Sequence, residues 1–166
     1  ELKSVFTDSV NYIELNKTYR SSPEIIEHAN KILGLNLVSA IRRNTSIPVE
    51  FRYENNLKEQ LIKDIENLKK DNKSIAIITK TDTEAATIYK LLKKDMNELT
   101  LIANNSKAFS RELVVIPSYM AKGLEYDATI VYTEKDNQFT HKERYLYYVA
   151  CTRSQHHLII YNQKEA

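Results

Sequence analysis

The chain has 166 residues, of which 42% are apolar and 28% charged, and a formal net charge of +2, the balance of one compact domain rather than of a polycation that coats nucleic acid. Its single cysteine, Cys151, excludes an internal disulfide framework and suits a reducing cytoplasm. No apolar run approaches the roughly 18–20 residues of a membrane span, and Glu1-Leu2-Lys3-Ser4 lacks the basic-then-apolar start of a signal peptide. A cytoplasmic protein with no membrane partner is expected, and the absence of an initiator Met reads as a fragment of a longer chain.

In chain order, Tyr12-Ile13-Glu14-Leu15 is a first strand candidate. Ser21-Ser22-Pro23-Glu24 then opens a helix, with Ser22 as cap, Pro23 in the first turn and Gly34 to end it. Val49 to Tyr53 is a second strand candidate. Leu57, Leu61, Ile62, Ile65 and Leu68 recur at three- and four-residue spacing, the stripe of a half-buried helix. Ile75 to Ile78 is a short, continuous apolar strand. Ala85, Ile88, Leu91 and Leu92 form another helical stripe, with Asp82 expected as its cap. Leu113 to Ile116 and Ala128 to Tyr132 are further strands, Leu146 to Cys151 a last helix and Leu158 to Tyr161 a last strand. Continuous rather than alternating hydrophobicity means strands covered on both faces, as in a parallel sheet. The expectation is one α/β domain over residues 1–166, with helices on both sides of a mainly parallel sheet.

The two glycines, Gly34 and Gly123, are too few for a phosphate-binding P-loop or a dinucleotide fingerprint. A self-sufficient ATPase of the P-loop kind is excluded. Three segments nevertheless carry chemistry. Leu15-Asn16-Lys17-Thr18-Tyr19-Arg20-Ser21-Ser22 places an aromatic ring and a guanidinium at a strand-to-helix junction, where an α/β sheet presents its ligand-binding edge. A tyrosine can stack on a base, and an arginine can pair with phosphate at two points. Ile116-Pro117-Ser118-Tyr119-Met120-Ala121-Lys122-Gly123-Leu124-Glu125-Tyr126-Asp127 sets a glycine, a cation and a carboxylate between two buried strands. There Gly123 serves either a positive φ or a close approach to a ligand. Tyr145 to Ser154 ends a helix on Thr152-Arg153 just before a strand. Singly, each also reads as ordinary surface: a half-buried Tyr beside an exposed Arg, a solvated charge pair, an Arg complementing a helix dipole.

Taken together and in order, they resemble the signature segments of superfamily 1 helicases of the UvrD/Rep-like type. Tyr19-Arg20-Ser21 is similar to motif IV, Ala121-Lys122-Gly123-Leu124-Glu125-Tyr126-Asp127 to motif V, and Tyr148-Val149-Ala150-Cys151-Thr152-Arg153 to motif VI. The resemblance runs from about Glu14 to Tyr161. It implies a three-layer RecA-like fold and the second, C-terminal motor domain of an ATP-dependent DNA helicase, an ATPase whose first motor domain holds the P-loop and the magnesium. By similarity, Tyr19 stacks on adenine, Arg20 and Arg153 face the γ-phosphate, and Glu125 with the Gly123 backbone meets ribose and phosphates. The implied cofactor is ATP. The implied partners are the N-terminal motor domain of the same parent chain and single-stranded DNA. Alone, the domain is expected to be inactive.

Two departures matter. Tyr119 occupies the place of a family His before motif V, and Lys80 the place of an Arg that follows a central strand. Both are nucleic-acid contacts by similarity, Tyr119 by stacking and Lys80 through one phosphate. Arg20 and Gly123 stand only 103 positions apart, without room for the large insertion of UvrD-type enzymes. That shortness is more like the HelD-like branch, which acts on RNA polymerase. An interaction module without energy transduction is the competing reading. A freestanding nucleotide-binding protein is disfavoured, because no phosphate loop is present. No metal site is expected, since the adjacent His156 and His157 would point to opposite faces of a strand. The Lys69, Lys70 and Lys73 cluster is explained by a helix end.

Overall fold

The computed structural model describes residues 16–35, 38–41, 46–53, 55–103 and 112–163. The strand expected at 12–15 and Leu15 of the first segment lie outside them. A small two-stranded parallel ladder joins β1 (Lys17–Thr18) to β2 (Ser39–Ala40). The main sheet comprises β3 (Glu50–Arg52), β4 (Ile75–Thr79), β5 (Thr100–Leu101), β6 (Leu113–Pro117), β7 (Tyr126–Tyr132) and β8 (Ser154–Tyr161). All six run parallel, in the spatial order β3-β8-β7-β4-β6-β5.

Among the described residues four helices cover this sheet: α1 (Pro23–Leu33), α2 (Leu57–Leu68), α3 (Asp82–Leu92) and α4 (Arg144–Cys151). Alternate residues of each strand face opposite ways, so the sheet divides two cores. Ile75, Ile77, Leu113, Val115, Ile130 and Tyr161 pack under α2 and α3. Ala76, Ile78, Val114, Ile116, Val131 and Ile160 pack under α1 and α4. Every residue of β4 and β6 is buried, the physical reason for their unbroken apolar runs. Each fully buried Ile or Leu contributes about 1.5–3 kcal/mol of transfer free energy. The three-layer α/β/α architecture read from the sequence is the one observed.

Local chemistry corrects two details. Thr81, not Asp82, caps α3: its backbone is extended, and its hydroxyl accepts from the Glu84 amide at 3.2 Å. The Glu84 carboxylate returns the bond by accepting from the Thr81 amide at 2.8 Å, closing a capping box. Asp82 is already helical, and its carboxylate accepts a bond from the Tyr119 hydroxyl at 2.9 Å. Ser22 does occupy the cap position of α1, but its side chain makes no capping bond. Gly34 ends α1 as expected, at φ +65° in the left-handed region.

The strands that start nearest the site are longer than their apolar cores. β8 begins at Ser154, four residues before its apolar stretch, because Tyr126 pairs with Ser154 before the register shifts. The extra residue on the β8 side is a bulge. Segment 118–125, between β6 and β7, runs from the carboxyl-end edge of the sheet to its amino-end edge, starting as a 3₁₀ turn at Ser118–Met120.

Candidate functional site

Arg20, Glu125 and Arg153 come together at the amino ends of β7 and β8. Tyr19 and Arg20 follow β1, which belongs to the small ladder and not to the main sheet. What carries them to the cleft is a pair of bonds to the bulged start of β8. The Ser21 hydroxyl donates to the Ser154 carbonyl at 2.6 Å, and the Ser22 amide to the Gln155 carbonyl at 2.9 Å. Both serines are fully buried, so the segment after Arg20 is fixed to the strand that follows Arg153.

Arg153 is buried, with 8% exposure, not the exposed helix-end cation of the plainer reading. Its Nε donates to the Val149 carbonyl at 2.9 Å, Nη1 to the Leu124 carbonyl at 3.0 Å and Nη2 to the Thr152 hydroxyl at 3.2 Å. Its own carbonyl accepts from the Tyr126 amide at 2.9 Å. One residue therefore ties the end of α4 to the start of β7. A guanidinium has five N–H donors, and these three bonds leave two for a ligand. Burial, together with the Arg20 charge nearby, pulls the Arg153 pKa below its usual value, against the opposing influence of Tyr148 and Glu125.

Arg20 is held far less tightly. Its Nε pairs with the Glu125 carboxylate at 2.9 Å, with the two side chains 43% and 51% exposed. Glu125 follows a turn closed by the Leu124 amide on the Ala121 carbonyl at 3.1 Å. Gly123 sits in that turn at φ +85°, and a Cβ there would meet nothing within 4 Å. The positive φ is by itself a reason for glycine at this position. Tyr19 is 69% exposed, its ring open to a partner.

A cleft of about 230 Å³ is lined by Lys17, Thr18, Arg20, Ser21, Tyr148 and Arg153, with Ile26, Val38 and Thr152 beside them. Lys17, Tyr148 and Thr152 were not singled out from sequence. The one available signal for Lys17 was a cation three residues before Arg20 on the same extended segment. Thr152 donates to the Tyr148 carbonyl at 2.9 Å while accepting from Arg153; it positions the guanidinium and has no proton left for a ligand.

The two expected nucleic-acid residues lie at the other edge. Tyr119 follows β6 and is 46% exposed. Lys80 follows β4 and points inward, its side chain only 11% exposed. Its ammonium pairs with Glu143 at 3.0 Å, and donates to the Asn137 side chain at 3.1 Å and the Gln138 carbonyl at 3.0 Å. The Thr140 amide and the Lys80 ammonium hold the Glu143 carboxyl below the usual carboxylate range. Lys80 is thus neither a solvated loop cation nor a cation presented to solvent. Cys151 is fully buried, and burial pushes its thiol far above the usual range, which leaves it unreactive. Among the described residues no cluster of His, Cys, Asp or Glu is placed to hold a metal, and no helix is long and apolar enough to cross a membrane.

In fold, the chain matches the C-terminal domain of a possible DNA helicase from Lactobacillus plantarum WCFS1, with a TM-score of 0.70 and 28% identity, over 87% of this chain and 86% of that one. The chain is similar to a helicase C-terminal domain. The likeness supports a helicase-related role and a RecA-like layer order without selecting the UvrD-like or HelD-like branch. No family model and no curated protein matches.

Proposed function

We propose that this chain is the second motor domain of a superfamily 1 DNA helicase or translocase, completing an ATP site whose P-loop and magnesium ligands belong to an N-terminal motor domain of the parent protein. The observation that carries the reading is the convergence of Arg20 and Arg153, from opposite ends of the chain, on one cleft. Bound ATP would supply the γ-phosphoryl group whose transfer to water drives the motor. Arg153, fixed by two backbone carbonyls and Thr152, offers preorganised N–H groups to charge developing on that group, with no reorganisation needed at the moment of reaction. Arg20 is the second, looser finger, Tyr19 stacks on the base, and Glu125 with the Gly123 backbone meets ribose and phosphates. For Glu125 to reach the ribose, its ion pair with Arg20 has to open. At the far edge Tyr119 stacks on single-stranded DNA. Lys80 serves the strand mainly by holding the surface beneath it.

A second reading is favoured by one observation. Between Arg20 and Gly123 the described residues hold only β2 to β6 and α1 to α3, with no inserted domain of the UvrD type. A HelD-like role on RNA polymerase, without unwinding, fits that economy. ATP turnover by the full-length parent separates the two: stimulation by single-stranded DNA alone supports the helicase, and stimulation only with polymerase supports the HelD-like role. In either case Arg153→Ala should lower turnover about 10³-fold or more. Near-normal turnover in that variant, shown to be folded by its thermal transition, would sink the arginine-finger assignment.

A further inference from the structure

We infer that this domain by itself binds the polyphosphate chain of a nucleotide, and that Lys17, at the mouth of the Arg20–Arg153 cleft, is a third phosphate-binding cation. The inference rests on the proposed ATP site and adds a residue and an autonomous affinity to it.

Three cations line the cleft, Lys17, Arg20 and Arg153. Among the described residues the one carboxylate ion-paired to them is Glu125, through Arg20. Arg153 hydrogen-bonds uncharged carbonyl and hydroxyl oxygens through three of its N–H groups, and the carboxylate that acts on its charge is the same Glu125, already paired to Arg20. Lys17 makes no ion pair among the described residues, as is also true of the control residue Lys63; what distinguishes it is its place in the lining of the cleft. Two positive charges are therefore left in a hollow of about 230 Å³, a space for phosphate groups and far too small for a protein segment. Like charges are gathered here at an electrostatic cost that an anion would remove.

Thr18 adds one donor to the lining. Thr18 accepts from the Arg20 amide at 3.2 Å, which leaves its own O–H to donate. β1 fixes both residues: Lys17 and Thr18 pair with Ser39 and Ala40 in the small ladder. Lys17 is thereby set on the same extended segment as Arg20, upstream of the Ser21 and Ser22 bonds that anchor that segment to β8. An exposed ammonium on a fixed strand gives point-charge attraction without directional demands. It contributes to holding the anion and not to the transition state, so its loss should raise KM and spare kcat.

The test is a calorimetric titration of inorganic tripolyphosphate into the chain, at two salt concentrations, for wild type, Lys17→Gln and Lys63→Gln, the last on the opposite helical layer. Measurable binding is expected, weakened about three- to fivefold in Lys17→Gln, with a shallower salt dependence, and unchanged in Lys63→Gln. In the full-length parent, Lys17→Gln should raise KM for ATP by a similar factor at unchanged kcat. Equal binding by wild type and Lys17→Gln, equal losses in both lysine variants, or no binding by wild type would each overturn the inference. None of these outcomes touches the arginine-finger assignment, which stands or falls with Arg153→Ala turnover.

Discussion

The two edges of the sheet treat their cations in opposite ways. At the amino ends of β7 and β8, Arg153 is anchored through uncharged oxygens and keeps its charge and two N–H groups for something outside. At the carboxyl ends of β4 and β6, Lys80 is neutralised by Glu143 and enclosed by Asn137, Gln138 and the Phe139 ring, 5.9 Å from its centroid. Both residues are basic, and both follow regular elements. What separates them is the nature of their partners. A cation solvated by carbonyls remains available to an anion, whereas a cation paired with a carboxylate has already found one.

The comparison is broken most strongly on the cleft side by acid. His28 of α1 is buried against Phe51 and Tyr147, with its Nε2 3.3 Å from the Tyr147 hydroxyl. Burial, with Lys31 adding to it, lowers its pKa to about 4. Because the folded state binds the proton less readily than the unfolded one, the stabilisation is complete above pH 6.5 and is lost as pH falls from 6.5 towards 4. The total is on the order of 3 kcal/mol, about 2 of it gone by pH 5. Urea unfolding at pH 7 and pH 5 measures it, and a His28→Gln variant should lose most of that pH dependence. If the variant keeps the full dependence, the acid sensitivity belongs to other groups.

The opposite edge is best disrupted at Glu84. This carboxylate is 1% exposed; it closes the α3 cap and accepts from the Glu134 amide at 2.9 Å and the Asn137 side chain at 3.3 Å. Glu84→Ala should cost about 2 kcal/mol, the sum of a lost cap and a stranded buried amide. It should also loosen the partners of Lys80. Hydrogen exchange at Glu134 and Phe139 would register that loosening, and unchanged protection there would mean that the two networks are independent.

The smallest effects concern the strand itself. Tyr119→Ala in the full-length parent should weaken single-strand binding by about 1 kcal/mol, near the lower end of base-stacking values. Lys80→Ala should leave the salt slope of that binding unchanged, since its charge is already matched by Glu143. A slope reduced by about one would instead show that Lys80 leaves Glu143 for a phosphate when the strand binds.

Much of this was legible in the sequence. Unbroken runs such as Ile75 to Ile78 and Leu113 to Ile116 determined a doubly covered parallel sheet, because only burial on both faces removes the penalty of apolar residues at successive positions. The spacing of Leu57 to Leu68 placed α2, and two glycines excluded a P-loop. The order of the Tyr19-Arg20, Gly123-Glu125 and Thr152-Arg153 segments indicated one site, though not how its parts meet. Only the tertiary structure decided that. Which edge of the sheet holds the cleft depends on the β8 bulge, whose opened carbonyls accept from Ser21 and Ser22. Whether a lysine is spent or available depends on contacts such as Lys80 with Glu143, 63 positions apart, that no local pattern encodes. Residue type and spacing fix which elements form; a side chain's charge becomes usable or silent through its long-range partners, and those are settled only when the layers pack.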